Sequence, residues 1–170
     1  MHARSATNRL RRDDIARDIA REHSDLPNVI EGNGRAKVNH TIESKNKALV
    51  LEAFDTLFNK RDYAAAERYW SPHYIQHSAN IAPGREGLFD LVRSAPPALK
   101  YEAGMIVAEG DVVIVHGRFS GNGRPVNWVA ADIVRVVDGT LAEHWDVLQD
   151  EATQEDSKSG LPMFGDKFRE

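Results

Sequence analysis

The chain contains no cysteine. That absence excludes a disulfide scaffold, a thiolate nucleophile and any cysteine-ligated zinc or iron–sulfur centre. No apolar run approaches the roughly 18 residues of a membrane helix, and the amino terminus lacks the apolar centre of a secretory signal. The expectation is a soluble, cytoplasmic protein with no membrane partner. An excess of positive charge is also missing. A formal net charge of −4 gives no general attraction to nucleic acid, so small neutral molecules are the expected partners. The HEXXH zinc motif is absent. His73 and His77 stand four apart but follow Pro72 closely, which argues against a shared helix face and against a metal site. The GNGR stretch lacks the length and context of a phosphate loop.

What is present is enough for one domain. At 170 residues and 41% hydrophobic composition, the chain suits a single core with an extension. Residues 1–43 form that extension. Their basic and acidic residues alternate over a thin apolar stripe of Leu10, Ile15 and Ile19, and Pro27, Gly32 and Gly34 interrupt any helix. A partly ordered arm or a short helix is expected there, with the folded domain over 44–170.

From Ser44 the apolar period is helical: Leu49, Val50, Ala53, Phe54, Leu57 and Phe58 share one face. A second short helix is expected after Asp62, which can cap it, and a third between Arg85 and Ser94. After Pro97 the period changes to two. Four β segments are predicted at 99–108, 111–120, 125–137 and 140–149, the last two joined by Asp138-Gly139, a strong hairpin signal. Helices followed by an antiparallel meander define an α+β domain whose helices cover one sheet face.

Asp132 interrupts the otherwise apolar run VNWVAADIVRVV. A buried carboxylate needs a partner or a reason to be neutral. A regular two-residue turn at Asp138-Gly139 sets Asp132 opposite Trp145 and on one face with Trp128. A three-residue loop at 122–124 adds His116 and Arg118 to that face, whereas a two-residue loop turns His116 away. A tight turn at Glu109-Gly110 adds Tyr101 and Met105. Alternation from His73 points His73 and His77 into the same chamber, and places His144 and Asp146 on the other side of the sheet. That other side, with Val113, Val115, Val129, Ala131 and Ile133, is apolar as well, so a second subunit is expected to cover it. Asp132 then reads either as a general base or as the buried partner of Arg118 or His116.

The run WVAADIVRVVDGTLAEHWDVLQ, with SPHYIQH, GREGLFDLV and VHGRFSGNG before it and SGLPMF after it, resembles the SnoaL-like polyketide cyclases of the nuclear-transport-factor-2-like superfamily. The likeness spans about residues 44–166. It implies a cone-shaped fold, a curved antiparallel sheet wrapped around about three helices, often dimerised through the sheet. It also implies a cofactor-free and metal-free aldol or isomerase reaction on a carbonyl compound. Asp132 would be the general base and His116 the assisting histidine. His73, His77, Tyr101, Met105, Arg118, Trp128 and Trp145 would bind substrate. The chain departs from the family at Ser78, Ala79 and Asn80, where relatives often carry Asn-Pro, which affects the pocket mouth. Because the superfamily also holds ligand-binding modules and hydrolases that activate water, those two readings stand beside the cyclase one.

Overall fold

The computed structural model describes residues 41–169. The arm and helix expected within residues 1–40 lie outside the described residues. Helix α1, Ile42–Phe54, begins at Thr41, whose side chain accepts from the Ser44 amide at 3.2 Å. It continues into a wider π turn, Asp55–Asn59. A short helix, α2 (Tyr63–Ala66), starts at Asp62, whose carboxylate accepts from the Ala65 amide. Helix α3, Gly84–Ser94, follows Pro83 and stops before Pro96.

Five strands make one sheet: β1 (Trp70–Gln76), β2 (Lys100–Glu109), β3 (Val112–Ser120), β4 (Trp128–Val137) and β5 (Thr140–Asp150). Their spatial order is β1-β5-β4-β3-β2. Strands β2 to β5 form the expected antiparallel meander. The edge strand β1 was not expected. It runs parallel to β5, so the sheet is mixed rather than purely antiparallel. Pro72 and the polar residues around it conceal the strand in the sequence, since proline is tolerated mainly at an edge.

One curved face of the sheet packs on α1 and α3. Phe54, Leu57, Phe58, Trp70 and Phe89 fill the space between these layers together with Val113, Val115 and Val134. The β4–β5 hairpin uses Asp138 and Gly139, both with positive φ, as the turn chemistry requires. The result is the α+β cone with a curved sheet around three helices.

Candidate functional site

Two register details decide which residues meet Asp132. The β4–β5 hairpin begins as the sequence predicts, with Val137 opposite Thr140 and Val136 opposite Leu141. Ala142 then has no partner, and the next pair is Arg135 with Glu143. One extra residue in β5 moves every later side chain to the other face. Asp132 therefore lies opposite Asp146, with His144 as its diagonal neighbour, while Trp145 turns outward. This corrects the expected pairing of Asp132 with Trp145. The second detail is the β3–β4 register, which sets Val115 opposite Asp132 and His116 opposite Ala131. His116 and Arg118 thus occupy the outer face, and Val113, Val115 and Phe119 the concave one. The long connection between Ser120 and Trp128 holds no three-residue turn, which is why that register prediction fails.

Around Asp132 the concave face builds a connected polar group. Asp132 is 3% exposed. Its Oδ1 lies 3.2 Å from His144 Nε2, and its Oδ2 accepts from the Tyr101 hydroxyl at 3.4 Å. His144 Nδ1 lies 3.0 Å from Gln76 Oε1, which also accepts from the Ser78 amide at 2.9 Å. A backbone N–H can only donate, so the Gln76 atom between these groups is its oxygen, and His144 Nδ1 must carry a proton. At 3.2 Å, His144 Nε2 and Asp132 Oδ1 form a hydrogen bond when one further proton lies between them. The pair is either imidazolium with carboxylate or neutral imidazole with carboxylic acid.

Burial raises the Asp132 pKa above its usual value of 3.8, opposed by the hydrogen bond and charge of His144 and reinforced by the charge of Asp146. Burial likewise raises the pKa of Tyr101, helped by the charge of Asp132, so that its hydroxyl remains a donor. Tyr74, buried beside the same carboxylates, is pushed up chiefly by desolvation.

Tyr101 is held from both sides. The Asn59 side chain, at the end of the π turn, donates to the Tyr101 carbonyl at 3.0 Å and accepts from its amide at 2.9 Å. Phe54, Phe58 and Phe119 surround the phenol ring at centroid distances of 4.7–5.7 Å. Gly117 leaves the space in which the ring lies, because a Cβ there would overlap it.

This group opens onto a cavity of about 560 Å3 lined by apolar side chains of α1, α3 and the sheet, and by Tyr74, Asp132, His144 and Asp146. Asn122, Arg124 and Trp128 also line it. Both the volume and the apolar lining with a few convergent polar groups suit a small organic molecule.

Of the residues expected here, Asp132, Tyr101 and Trp128 share the concave face. The others do not. His73 and His77 are exposed, since β1 turns Trp70 and Tyr74 inward instead, followed by Ser78 just beyond the strand. His77 stacks on Trp145 at 4.8 Å and meets Glu143 at 2.9 Å on the outer face. Met105 is 68% exposed at an irregularity between Ala103 and Ile106 of β2. Arg118 is buried on the outer side between Glu102, Glu151 and the Phe164 ring. The residues that sequence reasoning missed are His144, Gln76, Tyr74 and Asp146. Their one signal was the polar alternation of His144 and Asp146, outweighed by the apolar alternation of Trp145 and Val147.

The fold and this cavity define a cone-shaped α+β architecture with an apolar chamber, and comparison with known proteins narrows that class. The sequence profile of the SnoaL-like domain matches residues 50–144, more than half of the chain, so the chain belongs to the SnoaL-like family. No curated protein sequence matches it significantly. Among solved structures, AclR of Streptomyces galilaeus, provisionally assigned as a hydroxylase, is 28% identical with a TM-score of 0.53. That match covers 63% of this chain and 80% of the other. A provisionally assigned ketosteroid isomerase from Kribbella flavida is 19% identical with a TM-score of 0.59, covering 75% and 97%. A provisionally assigned SnoaL-like polyketide cyclase from Jannaschia is 21% identical with a TM-score of 0.54, covering 67% and 92%.

Proposed function

We propose that the chain is a cofactor-independent enzyme of the aldol, cyclase or isomerase type that removes a proton from carbon next to a carbonyl, with Asp132 as the base. The observation that carries this reading is a buried Asp132 that lies within hydrogen-bond reach of His144 and borders an apolar cavity. Desolvation favours the neutral acid, which strengthens the carboxylate as a proton acceptor. In the step itself the C–H electron pair moves into the enolate and the proton passes to Asp132. The enolate then attacks a second carbonyl carbon, whose oxygen takes the proton from Asp132 as the C=O π bond breaks, or the enolate takes the proton back at another carbon. His144, rather than His116, is the histidine that orients the base. Tyr101, neutral and locked by Asn59, is the donor within reach of Asp132.

The test is hydrogen–deuterium exchange at the α-carbon of 2-tetralone and a panel of β-keto esters. Exchange by the native protein that Asp132→Asn abolishes supports the reading. No exchange across the panel leaves the same cavity as a binding module.

The outer face supports a second part of the proposal, a homodimer. Val107, Ile114 and Val147 are each 39–67% exposed there, and the C-terminal segment covers only the side near Phe164. A second copy is the natural cover for the remaining apolar strip.

A further inference from the structure

Asp146 is a polar side chain in the cavity that neither gives nor takes the proton in the proposed transfer. It faces Asp132 directly across β4 and β5, which puts their Cβ atoms about 5 Å apart. Both carboxylates line the cavity, yet their surroundings differ. Asp132 has His144 and Tyr101. Asp146 has no hydrogen-bond or ion-pair partner among the described residues, and Leu148, Phe58 and Trp128 line the same space. Asp146 is half-buried, so its oxygens are hydrated in the free protein, and a ligand that fills the cavity displaces that water and must supply a donor in its place. The charge of Asp146 also helps to hold the Asp132 pKa up, so it contributes to the strength of the base without touching the transferred proton.

We propose that Asp146 is the specificity-determining residue of the cavity and that it selects carbonyl compounds bearing a hydroxyl group a few bonds from the acidic carbon. The proposal rests on the reading of the cavity as a carbonyl-compound site. Its geometry follows from the pairing of the strands: the two side chains stand side by side on one face, so a ligand against Asp132 is also beside Asp146. The Asp146 carboxylate accepts from the hydroxyl in a charge-assisted hydrogen bond, while a methoxy or unsubstituted analogue leaves it unfilled. Sites that hydrogen-bond a substrate hydroxyl reject the analogue that lacks it, because that analogue displaces water from the protein group and leaves it unpaired.

The experiment measures binding, by titration calorimetry, of 2-tetralone, its ring-hydroxylated isomers and their methyl ethers. The proteins are the native chain, Asp146→Asn, Asp146→Ala and Asp132→Asn, with thermal melts to confirm folding. At least one hydroxylated isomer is expected to bind the native protein about tenfold or more tightly than both its methyl ether and the parent ketone. That ratio should persist in Asp132→Asn, shrink in Asp146→Asn and vanish in folded Asp146→Ala. A ratio unchanged in both Asp146 variants overturns the proposal, as does the lack of preference for any hydroxylated isomer or the lack of binding by every compound. Because selectivity is read from binding and base action from exchange, each can fail alone. Hydroxyl preference without deuterium exchange leaves Asp146 as the selector and removes Asp132 as the base; exchange without preference does the reverse.

Discussion

The two faces of one sheet each bury a charged side chain, and they treat it differently. On the outer face Arg118 is enclosed by two ion pairs, Glu102 at 2.8 Å and Glu151 at 3.3 Å, and by the Phe164 ring, whose centroid is 4.5 Å from the guanidinium carbon. Glu151 in turn accepts from Asn127, and Glu102 from Arg169, so the cluster ties the C-terminal segment to β2 and β3. On the concave face Asp132 has one histidine, one long tyrosine hydrogen bond and an open cavity. Closure around a charge serves structure. Incomplete closure, next to space for a ligand, leaves proton affinity available for chemistry.

The largest expected contrast comes from neutralising each charge. Asp132→Asn keeps the shape, can donate to His144 and can accept from Tyr101, so the fold should persist while α-carbon exchange falls by about 10²–10⁴. Arg118→Met should do the opposite. Removing the cation leaves Glu102 and Glu151 facing each other, and a loss of roughly 3 kcal/mol in denaturant unfolding is expected, since breaking a buried pair typically costs roughly 3–5 kcal/mol and Glu102 is partly exposed. Exchange per folded molecule should stay near native. If Arg118→Met abolishes exchange while stability holds, the division of labour between the faces is wrong.

The pH dependence sharpens the same contrast. Asp132 has a raised pKa in the folded chain. As pH rises, the unfolded chain ionises this group first. Its contribution to stability is therefore fully present below its usual 3.8 and is lost as pH climbs through the higher folded value. Asp132→Asn should flatten that part of the stability profile. For His144→Ala, a lowering influence on Asp132 is removed, so the acid limb of the exchange profile should move to higher pH, with a rate loss of about tenfold near neutrality. An unmoved limb would show that His144 does not act through Asp132.

Smaller effects are expected from the supports. Gly117→Ala places a Cβ against the Tyr101 ring and should cost about 1–3 kcal/mol, measured by thermal or denaturant melts, together with a reduced exchange rate. A variant as stable and active as the native chain would remove Tyr101 from the site.

Why the faces were only partly legible in sequence follows from the same comparison. The helices, four of the strands and the Asp138-Gly139 hairpin announce themselves through period and turn residues, and Asp132 through its isolation in an apolar run. The partners of Asp132 do not. Trp145 and Val147 look like a buried alternation, but the outer face is apolar too, so hydrophobic pattern could not say which side was inward. The unpaired Ala142 reversed it, and nothing in Leu141-Ala142-Glu143 marks a bulge. His116 was misplaced for a related reason: the loop between Ser120 and Trp128, rich in glycine and polar residues, allows several registers. The family resemblance named an aspartate and a histidine, and the register decides which histidine.

The most direct measurement is α-carbon deuterium exchange on 2-tetralone and the β-keto ester panel by the native chain and by Asp132→Asn, with thermal melts of both. The account predicts exchange by the native chain, its loss by a factor of about 10²–10⁴ in the variant, and closely similar melting. Equal exchange by the two proteins, or a variant that loses stability while its folded fraction still exchanges, would contradict it.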